Sequence, residues 1–267
     1  MKKLLVGAAA LLAGYVAGSA FAADMPLKAV APVQLYNWTG WYIGGNVGGN
    51  FSSSTINGFS GGPGTAAFFA AGEFPTGLTP NAGGALGGAQ IGYNWQTAAA
   101  WVVGLETDIQ GSSYKGWASI LSTPAALAPF TTYIEEHGYW FGTVRGRIGY
   151  LVGPNILIYG TGGFAYGQAE SSFSTIGTGF TLATCPTTFT CAAGSSTSTR
   201  YGWAAGVGSE LMVSQHWTVR LEYLYLDLGT QSATAGTGPA YVFTPVSFTA
   251  SAPFKENILR MGFNYKF

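Results

Sequence analysis

The sequence predicts an all-β fold: an eight-stranded antiparallel transmembrane β-barrel with short periplasmic turns and four long extracellular loops. Three observations carry this. The first is composition. Of 267 residues only 8% are charged, 48% are hydrophobic, 15% are aromatic and 41 are Gly, with a formal net charge of zero. So few charges argue against an ordinary soluble domain, and so much apolar content argues against disorder. Beyond the N-terminus no run approaches the roughly 20 apolar residues of a membrane helix. The second observation is alternation: apolar and polar residues swap at period two in eight segments, as a strand with one greasy and one polar face requires. The third is that the connections between those segments are long and short in turn, the pattern of an outer-membrane barrel. A soluble β-sandwich is the alternative class.

The N-terminus reads as a secretory signal over 1–22. Lys2-Lys3 starts it, Leu4–Val16 is the apolar stretch, and Ala20-Phe21-Ala22 fits the small-x-small rule, so cleavage is expected between Ala22 and Ala23. Residues 23–37, with Pro26 and Pro32, form an extended periplasmic lead-in, and 38–267 form the barrel.

The strands follow in order. Strand one, about Trp38–Phe51, sets Trp41, Ile43, Val47 and Phe51 against Tyr42, Asn46 and Asn50. After a Gly/Ser/Pro-rich loop, strand two, about Ala82–Gln96, sets Ile91, Tyr93 and Trp95 against Gln90 and Asn94. Strand three, about Trp101–Gly111, sets Val103, Leu105 and Ile109 against Glu106 and Asp108. A second long loop is expected over 112–137. Strand four, Gly138–Tyr150, puts Trp140, Val144, Ile148 and Tyr150 on one face and Thr143, Arg145 and Arg147 on the other. Gly at every third or fourth position makes a helix there unfavourable. Strand five, Ile156–Tyr166, returns after a short link, with Ile156, Ile158, Phe164 and Tyr166 outward and Tyr159 and Thr161 inward; a third loop covers 171–199. Strand six, Arg200–Val213, opposes Tyr201, Trp203, Val207 and Leu211 to Glu210. Strand seven, Trp217–Gly229, opposes Val219, Leu221, Tyr223 and Tyr225 to Arg220 and Glu222; a fourth loop covers 230–255. Strand eight, Glu256–Phe267, opposes Leu259, Met261, Phe263, Tyr265 and Phe267 to Arg260 and Asn264. Trp95, Trp101, Tyr150, Trp217 and Tyr265 cluster at the short links, where one aromatic girdle is expected.

The inward charges balance. Glu106, Asp108, Glu210 and Glu222 face Arg145, Arg147, Arg220 and Arg260. An Arg or Lys facing lipid at the midplane costs about 2–4 kcal/mol, which explains why these lie on the other face. An eight-stranded bore is just wide enough for side chains. Charges confined there must pair or meet water, so they read as a plug of ion pairs, with water pockets beside inward glycines but no continuous wide channel. On that reading, removing several arginines raises conductance.

Other features point to little chemistry. Cys185 and Cys191, in the third loop, lack a nearby His and the C-x-x-C spacing, and read as a structural disulfide of an oxidising compartment. Glu135-Glu136-His137 reads as a solvated rim, because neighbours in extended chain point apart, and His216 as a turn residue. His137 has no Ser two positions on, and the glycines form no phosphate loop. No enzyme, cofactor, metal or nucleic-acid partner is expected.

A family resemblance covers the mature chain at its strands. Ala23-Asp24-Met25-Pro26-Leu27-Lys28, then Trp38-Thr39-Gly40-Trp41-Tyr42-Ile43-Gly44-Gly45-Asn46, resemble the start of alphaproteobacterial outer-membrane immunogenic proteins. Gly146-Arg147-Ile148-Gly149-Tyr150, the run Tyr159–Gly167 and the ending Arg260–Phe267 are similar to the same porin-family, OmpA/OmpX-like surface antigens. The resemblance implies an outer-membrane location among lipid and lipopolysaccharide. It implies a surface-antigen role, and a C-terminal signal, Phe263, Tyr265 and Phe267, read by the barrel-assembly machinery. Alternatives are a narrow porin for small solutes, or an adhesin or haem binder acting through its loops on host molecules.

Overall fold

A computed structural model describes residues 36–52, 55, 58–61, 78–97, 100–123, 129–177, 190–237 and 247–267. The strands are β1 Gly40–Ser52, β2 Gly58–Gly61, β3 Asn81–Gln96, β4 Trp101–Ser122, β5 Phe130–Leu151, β6 Ile156–Gly177, β7 Thr190–Met212, β8 Trp217–Thr237 and β9 Ser247–Lys266. All neighbours are antiparallel, and β1 pairs with both β3 and β9, closing a ring of eight long strands. The short β2 pairs with β9 at Gly58↔Ser251, further from the short turns than the end of β1. Closure joins the first and last strands, as a lipid-embedded sheet requires.

The period-two reading holds through the middle of every strand. Trp41, Val47, Leu105, Val144, Ile148, Val207 and Phe263 are exposed on the outer wall, while Asn46, Gln90, Glu106, Arg145 and Arg260 are buried inside. Aromatic contacts mark both ends of the apolar band. Trp101–Tyr150 and Trp217–Tyr265 lie at the short-turn end, with ring centroids 5.4 and 5.2 Å apart. Trp140–Tyr166 and Trp203–Tyr225 lie at the other end, at 6.0 and 5.4 Å.

Six strands run further than periodicity suggests. β4 to β9 have 20 to 23 residues, about twice the 9–11 residues of one crossing. The expected loops over 112–137, 171–199 and 230–255 therefore shrink to the links 123–129, 178–189 and 238–246. Two physical causes hide the extensions. Their ladders are lined by hydroxyl pairs, such as Thr234–Thr249 and Ser232–Ser251 at 2.9 Å, which stabilise a sheet without apolar alternation. Moreover, register shifts at Gly111/Tyr114 and Gly138/Trp140 switch the inward parity of β5. Even residues Ile134 and Glu136 point in before the bulge, and odd residues Thr143 and Arg145 after it, as one extra residue demands.

The β7–β8 ladder breaks between Ala193/Gly236 and Trp203/Asp227. Arg200 bridges the break, its Nη1 donating to the Thr230 carbonyl. On the β8 side Gly229 has φ +76°, and its N–H donates to Asp227 Oδ1 at 2.9 Å. Only glycine takes that backbone conformation without strain.

The signal region 1–22, its Ala22/Ala23 cleavage point and lead-in positions up to 35 lie outside the described residues, as does Cys185 and hence its expected bond to Cys191. Strand one starts at Gly40 rather than Trp38. Trp38 instead turns into the short-turn mouth, where it is 1% exposed and its backbone N–H donates to Gln96 Oε1 at 3.1 Å.

Candidate functional site

The strand registers place charge against charge. Glu106 and Arg145 are cross-strand partners, as are Glu222 and Arg260, and Glu210 and Arg220. Side chains then reach across the bore. Arg145 donates from Nη2 to Glu106 Oε1 at 2.7 Å and to Asp108 Oδ2 at 2.8 Å, and from Nη1 to Glu222 Oε1 at 2.9 Å. Arg260 donates to Glu222 Oε2 from Nε at 2.7 Å and to Asp108 Oδ2 from Nη2 at 2.9 Å. Arg220 donates to Glu106 Oε2, and Arg147 to Glu210 Oε2 at 3.0 Å. All eight charged residues singled out from sequence thus meet in one buried network.

Neutral groups complete it. Tyr42 donates to Glu106 Oε2 at 2.7 Å, Asn264 to Glu210 Oε1 at 2.9 Å, and Thr218 to the same Oε1 at 2.5 Å. The Arg147 guanidinium lies between the rings of Tyr42 and Tyr159, 4.9 and 5.2 Å from their centroids, a cation–π sandwich. Tyr42 fits because its partner strand offers Gly92: a Cβ there would stand 2.2 Å from the Tyr42 hydroxyl. Gly92→Ala is therefore expected to push Tyr42 off Glu106 and cost about 1–3 kcal/mol, read as a lower urea midpoint in refolded protein. Gly87→Ala, whose Cβ would meet nothing nearer than 3.6 Å, is the control.

Apolar layers that alternation alone does not reveal cover the network on both sides. At the short-turn end Trp38, Val102, Leu157, Tyr159 and Met212 form a buried cluster. Towards the long-loop end lie Leu86, Phe141, Leu224, Leu226, Phe254 and Ile258, with others. One sequence signal exists for the second layer: in Leu221–Leu228 both parities are apolar apart from Glu222 and Asp227, as for a strand buried on both faces.

Two more acids enter the bore at that layer, Glu256 between Ile258 and Phe254 on β9. Glu136 and Glu256 are 3% and 1% exposed. The rim reading of Glu135-Glu136-His137 is corrected here. Glu135 and His137 face out, 3.7 Å apart, while Glu136 points in. On β5 Glu136 lies outward of Trp140, and on β9 Glu256 lies outward of Leu259. Burial pushes each up to about 7. The unfolded chain ionises them near the ordinary carboxyl value of about 4.3. Folded-state pKa values above that mean that stability is lost as pH rises through this interval. Refolded, chelator-treated barrel is expected to melt lower at pH 8 than at pH 5.5, and Glu136→Gln with Glu256→Gln to flatten the difference.

Among the described residues no group of three or more His, Cys, Asp and Glu side chains is placed to hold a metal. His216 is exposed in its turn and stacks on Tyr265 at 5.7 Å. Phe263 and Phe267 sit on the exposed outer wall of the last strand, with Tyr265 packed against Phe267.

The family model described as "Outer membrane protein beta-barrel domain" matches residues 8–267. The 31 kDa outer-membrane immunogenic protein of Brucella melitensis biotype 1 is 35% identical over 97% of this chain and 98% of its own length. The 22 kDa outer membrane protein of Rhizobium leguminosarum bv. viciae is 30% identical over 67% of this chain and 66% of its own. Among solved structures, OprG from Pseudomonas aeruginosa is 12% identical, with 86% of this chain and 96% of that one covered, at TM-score 0.45. Ail of Yersinia pestis is also 12% identical, covering 86% and 99%, at TM-score 0.35.

Proposed function

The chain belongs to the outer membrane protein β-barrel family, and within that family we propose that it is a surface-exposed structural protein and antigen with a sealed bore. It resides in the bacterial outer membrane. One observation carries the sealed reading: a buried network of four arginines and four acids, with apolar layers on both sides. The surface role is supported by the Brucella relative, named as immunogenic, and by strands that continue well past the apolar band. We take residues 1–22 as a signal removed at Ala22/Ala23, Cys185 and Cys191 as a loop disulfide, and Phe263, Tyr265 and Phe267 as the assembly signal. We also read the protein as non-catalytic. His137 stacks on Tyr139 on the outer wall beside Glu135, without a hydroxyl nucleophile bonded to it among the described residues.

A cysteine at Ser119, on the exposed part of β4, tests the orientation. Ser119→Cys is expected to react with a membrane-impermeant maleimide on intact cells, and Gln215→Cys, in a short turn, only after lysis. The opposite pattern would overturn the orientation.

A second reading, an adhesin, is favoured by the broken β7–β8 ladder. Ladder pairing between β7 and β8 stops at Trp203/Asp227 and resumes at Ala193/Gly236, and an interrupted strand edge accepts an extended partner strand.

A further inference from the structure

The four residues before β1 fold back into the short-turn mouth of the barrel. Trp38 is the centre of this strap. It is buried among Val102 of β4, Leu157 and Tyr159 of β6 and Met212 of β7, and Tyr36 packs against the same group. Three polar contacts hold the strap there. The Trp38 N–H donates to Gln96 Oε1 at 3.1 Å, the Gln96 N–H donates to Thr39 Oγ1 at 3.0 Å, and Lys266 Nζ donates to the Asn37 carbonyl at 2.6 Å. Asn37 Oδ1 accepts the Thr39 N–H at 2.9 Å, which fixes the bend between them.

A glycine joins this strap to the barrel wall. Gly40 has φ +142°, a backbone conformation that favours glycine, and a Cβ there would stand 3.2 Å from the Phe267 carbonyl oxygen and 3.3 Å from Lys266 Cε. Residues 36–39 lie outside every strand, so no ladder has to break for them to move. Two forces oppose each other at the mouth. Burial of the Trp38 indole favours the closed position. Closure, however, leaves Trp38 Nε1, Tyr159 Oη and Arg147 Nη2 buried without a hydrogen-bond partner among the described residues. The Arg147 guanidinium lies against the Tyr159 ring, 5.2 Å from its centroid, so two of these unmet groups sit side by side. Buried donors left unmet are costly, and withdrawing Trp38 lets water reach them.

We propose that Tyr36–Thr39 is a hinged strap: Trp38 stops the short-turn mouth, and rotation about Gly40 withdraws it to open an aqueous vestibule that reaches Tyr159 and Arg147. Gln96 on β3 and Lys266 on β9 are its latch. The vestibule is not a channel, because the network of arginines and acids closes the bore beyond it in either position. The strap stands independently of the antigen and adhesin readings.

The test places a thiol behind the stopper. Refolded full-length protein, with Cys185 and Cys191 replaced by serine, carries either Val102→Cys beneath Trp38 or Leu224→Cys in the apolar layer on the other side of the network. Each is treated in detergent with a small water-soluble methanethiosulfonate. Val102→Cys is expected to react at least tenfold faster than Leu224→Cys. Gly40→Ala, which strains the closed strap, and Lys266→Met, which removes part of the latch, should each speed the reaction at Val102→Cys at least threefold and leave Leu224→Cys unchanged. If Gly40→Ala does not refold, Lys266→Met and the comparison of the two cysteines still decide. Reaction at Val102→Cys no faster than at Leu224→Cys, or unchanged by the strap variants, overturns the hinge. Equal acceleration at both cysteines also overturns it, because the variants then loosen the whole barrel.

Discussion

Arg145→Ala is expected to lower the unfolding free energy of the refolded barrel by about 3–5 kcal/mol, the cost of breaking a buried ion pair from one side. Arg145 holds Glu106, Asp108 and Glu222 at 2.7 to 2.9 Å, and its Nε donates to Thr143 Oγ1 at 2.9 Å. Without it three carboxylates face one another across the bore with only Arg147, Arg220 and Arg260 left to neutralise them. Arg145→Lys should recover part of the loss, since an ammonium keeps the charge but not the fork that spans three acids. Lys115→Ala, on the exposed wall, should change stability by no more than about 0.5 kcal/mol. Urea unfolding in lipid vesicles measures all three. Equal effects at Arg145 and Lys115 would show that the network does not support the fold.

The second large effect concerns permeation. Vesicles carrying the wild-type protein are expected not to swell in disaccharide, and planar bilayers to show background conductance only. Open channels are built from about 16–18 strands, and this ring has eight long ones. Alternation alone suggests that four arginines and four acids, with Tyr42, Gln90, Asn94 and Tyr159 beside them, fill most of the bore, so that losing Arg145, Arg147 and Arg220 together raises conductance. The apolar clusters around Trp38 and around Leu224 change that expectation. The triple alanine variant should stay shut to sugars, and opening should need an apolar layer removed as well, as in the triple variant with Trp38→Ala. Swelling by the wild type would promote the narrow-porin alternative.

How far the chain can be read without coordinates depends on the solvent each part meets. Between the two girdles every residue faces either lipid or the bore, so the penalty for a misplaced charge or backbone group writes itself into the period-two pattern. That pattern alone placed Trp41, Leu105, Val144, Val207 and Phe263 outward and Glu106, Arg145, Glu222 and Arg260 inward. It could not tell which acid meets which arginine, because partners such as Arg145 and Glu222 lie on β5 and β8, joined only through ring closure. Past the girdles water accepts both faces, the selection for alternation lapses, and Ser/Thr ladders look like loops. There a single bulge beside Tyr139 decides that Glu136 points into the bore and His137 away from it. Sequence determined the sheet, its lipid face and its store of buried charge. Only tertiary structure decided the ion-pair partners, the apolar layers that seal them and the company of Glu136 and Glu256, because each depends on contacts across a closed ring rather than along a strand.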